Sequence, residues 1–401
     1  MLWIFSFLFV NSVYSTSVTL PIFRVTTTCR TYRLLTPSGA SKFKDGWIDE
    51  IYQVGMGVGS PIVVEAQHLN LTLDYGWGPT FFFGDGRRPC ATPKRLKHKN
   101  CVSRPAPRGY FHSSRSNTFF STQLNYGFTL ESPFVSDCGK YPIAGELVED
   151  RVKIGSHAVS SVPFVLTPRK DVENILHHKW PADGILGLAY WNGFFGDTTY
   201  SFILKLLDRL SKKRVSVYMN NKSGHLGSTH NGGAITFGEK DHHNCKSDWK
   251  YVTASWTYGW SVVIDSFNFG SSVNSGRGVG VLASPTSIIY APKSIYNSIL
   301  KRVGAVYDAH VDFHFIDCNS RSNLPNMIFH IQGFKYHVSP YHYARYLGLN
   351  GPSGKKCALM IGISSRDDTW FLGTTFNRPY CILFDFTTNN MKMAFAAPRK
   401  G

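Results

Sequence analysis

The strongest constraint in this chain is a pattern that occurs twice. Leu71-Thr72-Leu73-Asp74-Tyr75-Gly76 is an apolar run entering a tight turn, and Val281-Leu282-Ala283-Ser284-Pro285-Thr286-Ser287 is a second. Each is followed further along by two apolar residues and a glycine, Ile185-Leu186-Gly187 and Phe371-Leu372-Gly373. Glycine lets two backbones pass closely, so the repeat reads as two related halves. The residue closing the apolar run is an acid in the first half, Asp74, and a methyl group in the second, Ala283. Long helical periodicities are scarce while glycine and proline recur, which points to an all-β chain with many turns.

The chain has 401 residues, enough for one large bilobal domain or two ordinary ones. Its 43% hydrophobic and 17% charged residues exclude a disordered polymer. The start, Met1-Leu2-Trp3-Ile4-Phe5-Ser6-Phe7-Leu8-Phe9-Val10, is too short to span a bilayer. It runs into Val13-Tyr14-Ser15, so residues 1–15 read as a cleaved secretory signal, with a membrane anchor or a buried segment as the competing reading. No later stretch is long and apolar enough for a transmembrane helix. Eight cysteines in a secreted chain argue for disulfides, and none lies in a CxxC arrangement. Asn70-Leu71-Thr72 and Asn221-Lys222-Ser223 are glycosylation sequons.

A formal net charge of +17 suggests attraction to anionic glycans, lipids or acidic proteins. Basic residues concentrate at Lys94 to Lys99 and at Lys212-Lys213-Arg214. No nucleic-acid-binding motif accompanies them, so no specific nucleic acid is expected.

A series of segments follows in one order. Tyr52-Gln53-Val54-Gly55-Met56-Gly57-Val58-Gly59-Ser60-Pro61 alternates and then turns, ahead of Asp74. Phe111-His112-Ser113-Ser114-Arg115-Ser116-Asn117-Thr118-Phe119 precedes Leu124-Asn125-Tyr126-Gly127. Then come Ala182-Asp183-Gly184-Ile185-Leu186-Gly187-Leu188, a helical pattern over Ser201 to Leu210, and Gly232-Gly233-Ala234-Ile235-Thr236-Phe237-Gly238. Trp260-Ser261-Val262, Leu324-Pro325-Asn326-Met327-Ile328-Phe329, Trp370-Phe371-Leu372-Gly373 and Tyr380-Cys381-Ile382-Leu383-Phe384-Asp385 complete the set. From about Tyr52 to the C-terminus this order resembles the pepsin-like aspartic proteases. The resemblance implies a bilobal pepsin-like fold, two related β lobes with a cleft between them. It divides the chain into a divergent leader or propeptide remnant at 16–50, an N-terminal lobe at 51–215 and a C-terminal lobe at 216–401. Val18-Thr19-Leu20-Pro21-Ile22 looks like the first strand of a family propeptide.

Such enzymes hold one water between two carboxyl groups that share a proton. Asp74 falls at the first catalytic position and Ala283 at the lost second one. An isolated Asp74 leaves the scissile carbonyl without its proton donor. Three further departures point the same way. Tyr75 replaces a small hydroxyl residue that links the two loops. Pro285 replaces Gly and removes a backbone N–H. The flap reads Tyr126-Gly127-Phe128-Thr129. Ser284 preserves the chemistry of its family position. Tyr126, Gly127, Gly76, Ser284 and Thr286 are the implied cleft residues. Asp74 can be read as catalytic or as a structural turn acid. Ser284 as a nucleophile has no base legible nearby.

His310, Asp312 and His314 would share one strand face, as a metal site or as a polar outer face over Val311, Phe313 and Phe315. We assign no metal and no cofactor. His177-His178 and His242-His243 read as loop residues. The resemblance implies the bridges Cys318–Cys357 and Cys90–Cys101. Cys245 with Cys381 is an expected pair across the C-terminal lobe, leaving Cys29 with Cys138.

Three functions compete. The leading one is a secreted pseudoprotease binding a peptide or protein in its interlobe cleft. The second is an active aspartic-type endopeptidase using Asp74 with altered chemistry. The third is a non-catalytic interaction protein acting through its basic surface. The compartment is extracellular, with a lysosome-like organelle as the alternative.

Overall fold

The computed structural model describes residues 17–35, 41–60, 66–76, 78–84, 110–130, 141–168, 182–189, 200–221, 229–254, 259–284, 286–309, 313–351, 354–387 and 392–399. The first described elements are a hairpin, β1 (Val18–Leu35) and β2 (Ser41–Val58). It continues with β3 (Gln67–Asp74), β4 (Phe81–Gly84), β5 (Phe120–Leu130), β6 (Tyr141–Ile154), β7 (His157–Pro168) and β8 (Gly184–Gly187). A short helix, Phe202–Leu207, leads to β9 (Arg214–Met219), β10 (Thr229–Phe237) and β11 (Lys250–Thr253). Then come β12 (Ser261–Ile264), β13 (Ser266–Phe269), β14 (Val273–Ser275), β15 (Gly278–Leu282) and β16 (Ile289–Ala291). After the helix Lys293–Val303 follow β17 (Val306–Asp308), β18 (Phe313–Asp317), β19 (Met327–Ile331), β20 (Phe334–Val338) and β21 (Ala344–Gly351). The last strands are β22 (Gly354–Leu359), β23 (Ile361–Ile363), β24 (Thr369–Leu372), β25 (Cys381–Asp385) and β26 (Lys392–Ala396).

The expected all-β, two-lobed architecture is present. A 13-stranded sheet runs β11-β26-β25-β9-β10-β1-β2-β3-β8-β4-β7-β6-β5, and a 5-stranded sheet runs β12-β15-β24-β16-β23. Within them the repeat is explicit. β3 lies parallel to β8, β8 antiparallel to β4, and β4 parallel to β7. β15, β24, β16 and β23 repeat that parallel, antiparallel, parallel sequence.

The repeated glycines are fixed by sterics. A Cβ on Gly187 would stand 2.3 Å from the Gly78 carbonyl oxygen. One on Gly373 would stand 2.2 Å from the Ile288 carbonyl oxygen. Gly184, in the same motif as Gly187, leaves 2.1 Å to the Phe81 carbonyl oxygen.

The helical pattern at 201–210 forms a shorter helix. Phe202, Ile203, Leu206 and Leu207 bury one face, and the helix ends at Asp208. Leu210 still packs against the core from outside the helix. Residues 16–50, read from the sequence as a divergent leader or propeptide remnant, include β1 and the first part of β2. The border drawn at 215/216 falls inside β9.

Cys245–Cys381 and Cys318–Cys357 are bonded as expected. The side chains of Cys29, Cys90, Cys101 and Cys138 lie outside the described residues, as do residues 1–15, His177-His178, Lys94 to Lys99, Pro285, His310 and Asp312. Among the described residues no helix is long and apolar enough to cross a membrane.

Candidate active site

Asp74 closes β3 opposite Gly187 of β8. Its carbonyl accepts from Leu188 N at 2.8 Å. Its Oδ1 accepts from Gly76 N at 2.9 Å, a turn bond that fixes the carboxylate relative to its own loop. At the end of β15, Leu282 pairs with Leu372, and Ala283 N donates to Leu372 O at 3.0 Å.

Ser284 brings the two loops together. Its hydroxyl donates to Leu73 O at 2.8 Å and accepts from Tyr75 N at 2.9 Å. Both partners flank Asp74, so Ala283, one residue before Ser284, belongs to the loop facing the acid. The side chain at that point of the second loop is the methyl group of Ala283. Asp74 retains 7% exposure, whereas Ala283 has none and packs with Val281 and Phe371.

A reciprocal bond would need a short hydroxyl at position 75. Tyr75 has its oxygen at the far end of a ring that is wholly buried. The ring packs against Phe384, with centroids 4.8 Å apart. Its hydroxyl has no hydrogen-bond partner among the described residues. Burial, then the neighbouring Tyr52, raise the phenol well above its ordinary titration range, so it stays neutral. The bulk of Tyr75 is thus accommodated by turning into the core and replacing a polar link with aromatic packing.

Close backbone contact continues at Gly76. Gly259 has φ +79, and a Cβ there would lie 2.9 Å from the Gly76 Cα. Next to it, buried Trp260 donates from Nε1 to Leu188 O at 2.7 Å, and its carbonyl accepts from Leu282 N at 2.8 Å. One residue thereby ties β8 to β15.

The remaining cleft residues divide. Tyr126 and Gly127 lie on β5, opposite Gly145 and Ala144 of β6, with Tyr126 half-buried and Gly127 exposed. Partial burial raises the Tyr126 phenol. Thr286 is buried, and its hydroxyl accepts from Ile288 N at 3.1 Å. Its carbonyl accepts from Thr374 N at 2.9 Å. Thr286 therefore shapes the second loop from within.

One acid escaped the sequence reading. Asp150 is fully buried, and its Oδ1 accepts from Ser116 Oγ at 2.9 Å and from Arg151 N at 2.7 Å. Ser116 Oγ in turn accepts from Ser60 N at 3.1 Å. This network pins the Phe111 to Phe119 segment against the turn after β2. The sequence signal was the Ser-Asn-Thr run, whose hydroxyls needed an acceptor. Asp183 plays a comparable part: its Oδ2 accepts from Asn70 N at 2.8 Å. Asn70 itself is exposed on β3, and Asn221 is exposed beyond β9.

The other singled-out residues that are described have the following surroundings. His314 Nδ1 lies 3.1 Å from Tyr296 Oη. His242 and His243 are exposed in a turn. Lys212, Lys213 and Arg214 each meet a carboxylate, of Glu239 at 2.7 Å, Asp208 at 2.8 Å and Asp385 at 2.8 Å.

Comparison with known proteins agrees with this geometry. The chain is 29% identical to aspartic protease 1 of Caenorhabditis elegans, over 73% of either chain. It is 26% identical to mouse (Mus musculus) gastricsin, over 71% of this chain and 69% of that one. It is also 24% identical to pregnancy-associated glycoprotein 1 of sheep (Ovis aries), over 87% and 82%. The crystal structure of aspartic proteinase from Irpex lacteus superposes with a TM-score of 0.67 at 16% identity, covering 96% of this chain and 98% of that one, a likeness of fold. Residues 56–396 match the eukaryotic aspartyl protease family, and with the paired loops around Asp74 and Ala283 they identify this chain as a member of it.

Proposed function

We propose that this chain is a secreted pepsin-fold pseudoprotease that holds a peptide or protein segment between its lobes without cutting it. The observation that carries the reading is the buried methyl of Ala283 in the loop that Ser284 docks against Asp74. General acid–base hydrolysis needs one group to take a proton from water and another to give one to the carbonyl. Loss of a positioned acid or base costs ~10²–10⁴ in rate. The two carboxyls act as a unit, so the loss here is at the upper end or beyond. Tyr75 supports the same reading, because its ring supplies none of the short-hydroxyl bonding that Ser284 provides opposite.

The test is a sensitive fluorogenic-peptide assay from acidic to neutral pH, alongside binding of the same peptides. We expect binding without turnover. Robust turnover that is blocked by a transition-state isostere and lost in Asp74→Ala would sink the reading in favour of an active endopeptidase. The exposure of Asn70 and Asn221 supports N-glycosylation at both, in keeping with secretion. A role for the basic exterior would rest on Lys94, Arg95 and Lys97. Lys212, Lys213 and Arg214 of the second basic run pair with Glu239, Asp208 and Asp385, which offsets part of its charge.

A further inference from the structure

We infer that Gln332 guards the open edge of the 13-stranded sheet, filling the place that a strand from a second copy of this chain would take beside β11. β11 ends that sheet, with β26 on its inner side. Its Lys250, Tyr251 and Thr253 are exposed and its Val252 is buried. An exposed end strand offers its outward N–H and C=O groups to any further strand. Here Thr253 N donates to Gln332 Oε1 at 2.9 Å, and Gln332 Nε2 donates to Thr253 O at 2.7 Å. In an antiparallel ladder two opposed residues exchange this same pair of bonds. One carboxamide therefore stands where the backbone of a neighbouring strand would stand.

The turn that presents the amide fits this task. Gln332 and Gly333 join β19 to β20 with φ +48 and +83, and Ile331 pairs with Phe334 across them. Asn-Gly is the pair that best suits two left-handed turn residues. Glutamine is one methylene longer than asparagine, and that length carries its amide to Thr253. The Lys250 ammonium lies 5.5 Å from the Phe334 ring centroid, so the same hairpin tip also grips the start of β11. The device recurs at β20, the end strand of the sheet β14-β13-β19-β20. There the Tyr380 hydroxyl accepts from His337 N and donates to His337 O at 3.0 Å.

The occupant kept out is a second copy because β11 is complementary to itself. Outward backbone groups alternate along a strand, so Tyr251 shares the outer side with Thr253. A second β11 laid antiparallel across a two-fold axis would set Tyr251 against Thr253 twice and Val252 against its own copy. Aromatic residues facing β-branched ones favour such pairing. Thr253 is required at both ends of that ladder, and Gln332 has already taken it. The net charge of +17 also holds copies apart, but salt screens that repulsion and leaves the guard as the barrier.

The experiment is sedimentation velocity on the full chain at low and high salt. It compares the wild type, Gln332→Asn, and Gln332→Asn combined with Tyr251→Pro. Asparagine suits the turn, so the single variant should keep its melting temperature. We expect it to self-associate about tenfold more tightly than the wild type, most of all at high salt. The added proline removes an outward N–H from the edge and should abolish that gain. Hydrogen exchange over the β11 segment, read by mass spectrometry on the dilute monomer, should be about tenfold faster at the Thr253 amide in the single variant. If that variant does not fold, Gln332→Gly, which any turn conformation suits, takes its place with the same expectations. Wild type and variant sedimenting alike would overturn the inference, as would association that survives the proline. Unchanged exchange at Thr253 is equally fatal.

Discussion

Strands β3 and β15 follow the same course through the two halves. Each lies parallel to a strand ending in apolar-apolar-Gly, and each hands its chain to a loop that wraps that glycine. At the ends of these strands the halves diverge. The first carries a carboxylate held by Gly76 N and a buried ring, Tyr75. The second carries a methyl group in an apolar cluster and a hydroxyl, Ser284, that serves both loops. Backbone sterics and site chemistry are therefore under separate constraints. Gly187 and Gly373 have no alternative at 2.3 and 2.2 Å from a carbonyl oxygen, whereas the side chains one step away have changed charge, size and polarity.

The largest effect should come from the feature the halves share. Gly187→Val and Gly373→Val would each drive a side chain into a neighbouring carbonyl oxygen. Both should cost more than about 4 kcal/mol and leave little soluble folded protein. Soluble yield and denaturant midpoints for the pair measure it. If only one variant is crippled, the structural equivalence of the two loops fails.

That shared feature was also the most legible one. A glycine after two apolar residues is a local pattern, and so is the apolar run before each turn. Features that depended on distant partners were not legible. Asp150 is an unremarkable acid until Ser116 and Thr118 fold onto it. The run Lys212-Lys213-Arg214 reads as a basic patch until Glu239, Asp208 and Asp385 arrive. Thr286 reads as a cleft residue from its type, while the bond its hydroxyl accepts from Ile288 N appears only once its own loop is folded. The place of β1 depends on β10, far along the chain.

A second, smaller effect separates the halves by pH. His342, in the helix Pro340–Tyr343 of the second half, is held down to about 3 by burial and by the nearby Arg378 and Arg345 charges, against an ordinary value of 6.5. Above pH 6.5 the ring is neutral both folded and unfolded, and it contributes nothing. Between 6.5 and about 3 the unfolded chain takes up a proton that the folded chain refuses, so stability falls as pH falls. The slope is about 1.4 kcal/mol per pH unit within that window. Urea midpoints from pH 7 down to pH 4, taken for wild type and His342→Gln, should diverge steadily, with the variant losing less. Parallel curves would remove His342 from the account of acid stability.

Next comes the hydroxyl that the second half contributes. Ser284→Ala strands two buried backbone groups at once, Leu73 O and Tyr75 N. Each unsatisfied group costs about 1–3 kcal/mol. Partial relaxation of the loops should bring the sum to roughly 2–3 kcal/mol. Calorimetry reads the loss directly, and Ser284→Thr, which keeps the hydroxyl, should restore most of it. If Ser284→Ala is silent, the two loops are not held by this bond.

The smallest effect isolates what Tyr75 adds in return. Its ring packs against Phe384, but its hydroxyl is buried without a hydrogen-bond partner among the described residues. Tyr75→Phe keeps the packing and removes the stranded oxygen, so it should be neutral or stabilise by up to about 1 kcal/mol. The melting temperature should hold or rise slightly, while Tyr75→Thr should lower it by emptying the ring's space. A loss in Tyr75→Phe close to that of Ser284→Ala would mean that the phenol carries a polar link of its own. The two halves would then be joined by a hydroxyl on each side, and the asymmetry would lie only in the reach of the side chains.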